Sequence, residues 1–588
     1  MQPIDPSAPF VLLDDARTVG AAPARLYRDP VDTVVVTRAA EVPRALRALR
    51  VATGAGLHVA GYLTYEAGLA LEPRLAVRCR EDRTPLLWFG LFRDCETIAP
   101  EAVTALLPNP RSARLSAPRP RIDREAYAAL FDRVQALIAA GDIYQANLTL
   151  RADVALLGEP LAAYAALRDR ACAGYGAVVH TGERWLLSCS PELFVALHEG
   201  KATARPMKGT APAATDPAAL AADPKQRAEN LMIVDLLRND LSRVADPGSV
   251  DVPELFRVDS YPTLHQMTST VTARLAEGRD AIDLIDALYP CGSITGAPKI
   301  RAMEVIADIE GEPRGAYCGA IGRIEPDGSA AFNVAIRTLE LTTGESTAML
   351  GLGGGIVADS HVDEEWAEAI AKGAFVTAGQ HPVDLIETMA FDPMEGLLRL
   401  EAHLARMKAS AEALGFAFNR HDTRNDLQAA TFRLRAPARI RLRLAPSGRT
   451  AIETAPMPPL PPAPAPVAIM RLPVPSSDWR LRHKSSDRGF YDAARVAGGA
   501  FETIFCDSAG QLTEGSFTNI FVERDGLLLT PPLERGLLAG VLRAELLERG
   551  SAIEQDLLPD DLANGFLIGN ALRGLMPARL VAAVQQSR

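Results

Sequence analysis

Lys208 stands in Arg205-Pro206-Met207-Lys208-Gly209-Thr210, one amine framed by a proline and a glycine. That frame predicts a tight turn holding the amine in place. A lysine so placed does one of two things. Neutral, it is a nucleophile; charged, it contacts a substrate carboxylate. Burial or a neighbouring cation favours the neutral form. Glu365 and Glu368 are three apart, so on a helix they share one face. Glu229, in Arg227-Ala228-Glu229-Asn230-Leu231, is read at the opening of a second helix. Carboxylates converging from two helices could hold one Mg²⁺, which takes a few carboxylates, substrate oxygens and retained waters. Spacing alone favours the plainer reading, glutamates as solvated helix charges. In the run 351–355, Gly-Leu-Gly-Gly-Gly, backbone N–H groups can approach an anion closely, although such runs also make turns and bulges. Arg337 offers a fork suited to a carboxylate; by itself, a surface salt bridge is the commoner use of such an arginine.

A second set lies further along. Lys484 stands in Arg482-His483-Lys484-Ser485-Ser486-Asp487, and Glu514 in Leu512-Thr513-Glu514-Gly515-Ser516. Upstream, Glu401-Ala402-His403-Leu404-Ala405-Arg406-Met407 predicts a helix with His403 and Arg406 close on one face. A cofactor bearing an aldehyde and a phosphate needs a lysine, cationic or backbone donors for the phosphate, and a carboxylate opposite its ring nitrogen. All three are present. The plainer readings are an exposed helix charge for Arg406 and a turn carboxylate for Glu514.

The elements that must position these residues are partly visible. The stretch 123–140 has helical spacing, with Asp123 as its N-cap. In 228–241, Leu231, Val234, Asp235 and Arg238 fall at helical intervals. The stretch 348–356 predicts a strand running into a glycine turn. The stretch 363–374 predicts a helix with Asp363 and Glu364 in its first turn. Thr377-Ala378-Gly379-Gln380-His381-Pro382 marks a boundary, and 456–466, with seven prolines, an extended connector. The expected division is 1–378 (an N-terminal subregion 1–120 and a core 121–378) and 383–588. The latter comprises a small lobe 383–455, the connector 456–466 and a large lobe 467–588.

Composition narrows the classes. A chain of 588 residues exceeds one core, and a net charge of −11 argues against a nucleic-acid partner. The seven cysteines are odd in number and form no Cys-x-x-Cys, which fits a reducing cytoplasm better than a disulfide framework or zinc site. Residues 1–10 lack a basic segment followed by an apolar one, and no apolar run reaches the ~18 residues of a membrane span. No signal peptide and no membrane partner are expected.

The first set resembles the chorismate-binding enzymes of the anthranilate synthase and aminodeoxychorismate synthase family. The resemblance rests on several motifs in order: Gly141-Asp142-Ile143-Tyr144-Gln145-Ala146-Asn147, Ser190-Pro191-Glu192, the Lys208 segment, Gly292-Ser293-Ile294-Thr295-Gly296-Ala297-Pro298-Lys299, Tyr317-Cys318-Gly319, Arg337-Thr338, and the glycine run with Glu365 and Glu368. It implies a large α+β unit with extended antiparallel sheets. It implies Mg²⁺ at Glu229, Glu365 and Glu368. Chorismate would be surrounded by Gln145, Ser293, Thr295, Tyr317, Arg337, Lys372 and the backbone of Gly353, Gly354 and Gly355. Relatives making anthranilate carry Ala at the Lys208 position, and those making 4-amino-4-deoxychorismate carry Lys. The water-adding relatives carry a lysine base where this chain has Gln145. Lys208 is thereby implied as the nucleophile at C2 of chorismate and Glu192 as a general acid or base. The usual histidine position of the family holds Gln266, with His265 one residue off, and Asp14-Asp15 replace a Glu-Ser pair of tryptophan-regulated relatives. No cysteine lies in a Gly-x-Cys-x-Gly setting, so ammonia is expected from a separate glutamine amidotransferase.

The second set resembles the fold-type IV pyridoxal phosphate enzymes, two small α/β lobes with the cofactor between them. The resemblance implies pyridoxal 5'-phosphate on Lys484, Glu514 at its ring nitrogen beside Asn519, and Arg406 with Gly540-Val541 at its phosphate. Asn570 and Arg573, in Asn570-Ala571-Leu572-Arg573-Gly574-Leu575, resemble the substrate segment of the aminodeoxychorismate lyase branch, and Thr388 is a candidate to assist proton transfer. A homodimer through this half is implied. Together the halves imply amination of chorismate at C4, then loss of pyruvate to give 4-aminobenzoate for folate. The rival expectations are a synthase with a non-catalytic second half, an anthranilate synthase-like enzyme joined to a transaminase, and a chorismate-regulated binding protein without turnover.

Overall fold

A computed structural model describes residues 3–80, 84–212, 214–260 and 264–581. Both ends of the expected division, 1 and 588, lie outside the described residues. Two compact units emerge. The first comprises Met1–Pro110, Ala117–Val154 and Pro160–Gly379; the second comprises Arg111–Ser116, Ala155–Glu159 and Gln380–Arg588. The second unit therefore takes in two short segments that the sequence places in the first half. Apolar burial and stacking account for this. Leu157 packs against the core of Leu385, Met389, Leu404 and Trp479, the Trp479 indole donates to the Arg111 carbonyl at 3.0 Å, and the Arg114 guanidinium lies over the Phe416 and Trp479 rings.

The first unit is built on two large sheets, of eleven and ten strands. Its site depends on six elements: α1 (Arg124–Ala139), β1 (Gln145–Leu157), β2 (Met207–Pro212), α2 (Pro224–Ser242), β3 (Thr347–Ile356) and α3 (Val362–Ala371). Helix α1 starts as expected: the Asp123 carboxylate accepts from the Ala126 N–H at 2.8 Å, satisfying one of the helix's orphan donors. Helix α2 starts earlier than expected, at Pro224 with Asp223 as its cap, so Glu229 lies within the helix and not at its opening. Strand β3 contains the whole glycine run, with no turn at those glycines. It lies next to β1 in the eleven-stranded sheet.

In the second unit a four-stranded sheet carries β4 (Leu385–Asp392) beside β5 (Ala438–Leu444), packed by α4 (Leu400–Leu414). Leu385, Met389 and Phe391 point into the core with Leu404 and Met407. Strand alternation then puts Glu387 on that face and Thr388 on the other. The proline stretch is irregular only over 457–464, because Pro456 ends one strand and Ala465–Arg471 forms the next. That next strand enters an eight-stranded mixed sheet, and α5 (Val541–Glu548) begins just after Gly540. Among the described residues, no helix is long and apolar enough to cross a membrane.

Removing the α1 cap is expected to cost about 1 kcal/mol. Asp123→Ala should lower the unfolding free energy measured by denaturant titration by that amount; an unchanged value would show the cap contributes nothing.

Candidate active sites

Lys208 lies in a strand, not a turn. Strand β2 pairs with Leu264–Arg274, and its register slips between Met207 and Thr210. Gly209 takes φ +100 there, so the Pro206 and Gly209 frame produces a bulge. The bulge is held from behind: Asn230 donates to the Lys208 carbonyl at 3.3 Å and accepts from Ser269 Oγ at 2.6 Å. The Lys208 amine pairs with Glu229 at 3.2 Å.

The glycine run lies against this group. A Cβ on Gly355 would sit 3.0 Å from Lys208 Nζ and 2.7 Å from Gln145 Nε2. One on Gly354 would sit 3.1 Å from Glu365 Oε2, 3.6 Å from Lys372 Nζ and 3.9 Å from Glu368 Oε1. Lys372 bonds Glu368 at 2.8 Å and the Gly353 carbonyl at 2.9 Å, and Ser360 Oγ donates to Glu365 at 2.6 Å. Burial pushes the Glu365 carboxyl above its ordinary range. Burial acts on Glu368 in the same sense, but Lys372 and Lys208 outweigh it and hold that carboxyl low. Glu365 and Glu368 do share one face, as their spacing predicts. Glu229 instead pairs with Lys208, and among the described residues no three acidic, His or Cys side chains are gathered closely enough to hold a metal.

Glu192 is buried and accepts from Ser293 Oγ at 2.7 Å. Burial pushes its carboxyl up to about 7, against the downward pull of Ser293, the Met207 N–H and Lys208. Thr295 is buried, its hydroxyl donating within its own loop to the Gly292 carbonyl at 3.1 Å. Its carbonyl accepts from the Asn147 N–H at 2.8 Å, two residues after Gln145. The Tyr317 ring would meet a Cβ on Gly351 at 2.1 Å. Arg337 takes a left-handed φ of +50 just before the strand Thr338–Thr342. Gln145 is buried, its Oε1 without a hydrogen-bond partner. His265 contacts Ser260 Oγ at 2.8 Å.

The second unit centres on Lys484, whose carbonyl accepts from the Ile386 N–H at 2.8 Å. Burial depresses its amine to about 7; Glu387 opposes this, and Arg406, Arg488 and Arg441 reinforce it. The residue as a whole is half-buried. Glu387 is a residue that sequence reasoning passed over. It accepts from Arg406 Nε and Nη2 at 2.8 and 2.6 Å and contacts His403 Nδ1 at 2.6 Å. Burial would raise its carboxyl, yet Arg406 and His403 hold it far below the usual range. A single acid in the apolar run Leu385-Ile386-Glu387-Thr388-Met389-Ala390-Phe391 was the available signal.

Arg406 also donates to the Ala539 carbonyl at 3.0 Å, next to Gly540 and Val541 at the start of α5. A Cβ on Gly540 would fall 1.9 Å from Asn519 Oδ1, and Asn519 Nδ2 donates to the Leu538 carbonyl at 3.2 Å. Glu514 accepts from the Tyr491 hydroxyl and, at 3.1 Å, from the Leu538 N–H; burial pushes its carboxyl up to about 7. Asn570 donates to the Phe517 carbonyl at 3.1 Å, and the Arg573 guanidinium lies over the Phe501 and Phe517 rings. Thr388 pairs across the sheet with Arg441 and faces away from Glu387.

Residues 10–378 match the family model described as chorismate binding enzyme, and the chain belongs to that family. Residues 384–581 match the model for amino-transferase class IV. Among curated relatives, aminodeoxychorismate synthase component 1 of Klebsiella aerogenes is 45% identical over 264 residues, 44% of this chain and 58% of that protein. Anthranilate synthase component 1 of Streptomyces coelicolor is 42% identical over 257 residues, 42% of this chain and 50% of that protein. The chain thus spans between half and three-fifths of these relatives' length. Among solved structures, anthranilate synthase component I from Streptococcus pneumoniae superposes with a TM-score of 0.53 at 26% identity, covering 61% of this chain and 93% of that one.

Glu192 supplies a pH test. Folded, it keeps its proton to about pH 7, whereas an unfolded glutamate releases it near ~4.3. Between those limits the folded state holds more protons, so this group's contribution to stability falls as pH rises. Glu192→Gln stays neutral and should gain on the wild type as pH climbs from about 4.5 to about 8. Denaturation midpoints of both across that range check the sign; a constant difference would refute it.

Proposed function

We propose that this chain makes 4-aminobenzoate by two consecutive reactions. The first aminates chorismate at C4 to 4-amino-4-deoxychorismate, and the second eliminates pyruvate from it. The observation that carries the reading is Lys208 and the amide of Gln145 set against Gly355, with the proton-holding Glu192 close enough to feel the Lys208 charge. An amide cannot take a proton from water, whereas ammonia needs no such help.

In the first reaction the Lys208 amine passes its proton to the Glu229 carboxylate 3.2 Å away and adds at C2 of chorismate. The C4 hydroxyl leaves as water with a proton from Glu192, whose carboxyl near 7 is poised to give one. Ammonia adds at C4, the electrons return, and Lys208 departs from C2. Glu365 and Glu368 present the oxygen donors that suit Mg²⁺, which would screen the substrate's carboxylate charge. Glu229 keeps Lys208 in place. Thr295, Tyr317, Arg337 and Lys372 supply contacts for the substrate and its carboxylates.

In the second unit the residues fit pyridoxal 5'-phosphate. Lys484 is depressed enough to be neutral in part near pH 7, and the absent Cβ of Gly540 lets Asn519 close against the start of α5, beside the Ala539 carbonyl that Arg406 holds. The cofactor would supply an electron sink. Glu514, beside Asn519, would pair with its ring nitrogen, and Arg406 with the Gly540-Val541 backbone would hold its phosphate. Lys484 removes the C4 proton of the substrate, with Thr388 assisting, while Asn570 and Arg573 orient the substrate. Ammonia comes from a separate glutamine amidotransferase, the second unit pairs as a homodimer, and the reactions run in the cytoplasm.

The purified chain, given chorismate, Mg²⁺, pyridoxal phosphate and excess ammonium, should yield 4-aminobenzoate and pyruvate by mass spectrometry. Lys208→Ala should abolish both products. Lys484→Ala should leave 4-amino-4-deoxychorismate accumulating. Anthranilate as the product would overturn the role given to Lys208, and 4-amino-4-deoxychorismate alone from the wild type would mean a second unit without lyase activity.

A further inference from the structure

Arg314 is fully buried, with 1% of its side chain exposed. Its guanidinium makes four hydrogen bonds. Nε donates to Glu310 Oε2 at 2.9 Å and Nη1 to the Ile294 carbonyl at 2.8 Å. Nη2 donates to the Asn147 carbonyl at 2.6 Å and to Glu310 Oε1 at 2.8 Å. The plane lies 4.4 Å from the Tyr65 ring centroid. The arginine's own backbone is clamped as well. Its N–H and that of Gly315 donate to the two oxygens of Glu66 at 2.7 and 3.1 Å. Glu310 also receives the N–H and hydroxyl of Thr149, at 2.8 and 2.9 Å.

The two carbonyls are informative. Ile294 precedes Thr295, and Asn147 lies two residues past Gln145. Between them the loop and the strand are stitched directly: Asn147 N–H to the Thr295 carbonyl, and Gly296-Ala297 paired with Gln145-Ala146. Two buried carbonyls converging on one point need donors there. Only a planar fork reaches both while gripping a carboxylate behind. A buried ion pair is weak evidence for added stability, so stability alone is a poor account of this one.

We propose that Arg314 is a positioning residue for chorismate: through the Ile294 and Asn147 carbonyls, and through Glu310 that also holds Thr149, it sets the spacing between the Thr295 loop and the Gln145 end of β1. The inference rests on the reading that Thr295 and Gln145 line the chorismate site. It does not depend on which product forms.

Two variants test it in the full chain. Arg314→Lys keeps the charge and loses the fork. The double variant Arg314→Met with Glu310→Gln removes both charges together, so no uncompensated charge stays buried. Chorismate affinity is measured by equilibrium binding with Mg²⁺ and without ammonium, alongside denaturation midpoints and, with ammonium, KM and kcat. Arg314→Lys should weaken binding about tenfold, with KM rising in step and kcat within about threefold. The double variant should lose about a hundredfold, with the lysine variant lying between it and the wild type. Wild-type affinity per folded molecule in Arg314→Lys would overturn the proposal, even where stability falls. Should the double variant not fold, the lysine variant decides alone. A wild type that binds chorismate but makes anthranilate would sink the proposed first reaction and leave this test intact.

Discussion

The missing side chains of the glycine run are the constraint on which the first unit's site depends. Along β3, a Cβ at 351 would enter the Tyr317 ring, one at 353 would lie 2.4 Å from the Leu148 carbonyl, and those at 354 and 355 would crowd Glu365, Lys208 and Gln145. None of these glycines takes a positive φ, so the demand is for space and not for an unusual backbone conformation. The missing side chains let Lys208 of β2 and Gln145 of β1 approach Gly355, and Glu365, Glu368 and Lys372, all from α3 and its C-terminal end, approach Gly354. Gly540 repeats the device in the second unit, where Asn519 occupies the volume of its absent Cβ.

Within both units, burial and partners compete for each ionisable group, and the partner decides the outcome. Glu387 and Glu514 are both buried glutamates, yet they move in opposite directions. Glu387 receives a bidentate arginine and a histidine, which outweigh desolvation. Glu514 receives a phenol and one backbone N–H, and desolvation prevails. Lys484 follows the same rule with the sign reversed, because the arginines near it add to the cost of its charge. Glu192, with one serine, one N–H and a lysine, ends close to Glu514. Each unit thereby contains a buried carboxyl that can exchange a proton near neutrality, a useful property where a leaving group or a ring nitrogen needs one.

What local chemistry governs was legible in the chain. Asp123 caps its helix because capping reaches only three residues along the chain. Glu365 with Glu368, and His403 with Arg406, share faces because helical period is local. The order of motifs pointed to the chorismate-binding family over the first part and to a class IV aminotransferase-like segment over the second. What depended on distant partners was not legible. A Pro-x-x-Gly frame makes a turn or a bulge, and only pairing with Leu264–Arg274 put Lys208 in a bulged strand. Spacing along the chain could not show that the Glu229 carboxylate lies 3.2 Å from the Lys208 amine. Arg111–Ser116 and Ala155–Glu159 joined the second unit because Trp479 and its neighbours offered apolar surface hundreds of residues away. Sequence by itself determined the residue types, the helix faces and the family. Tertiary structure alone decided which charges meet, which lose water and so which hold their protons, because those depend on atoms brought together by folding and not by spacing along the chain.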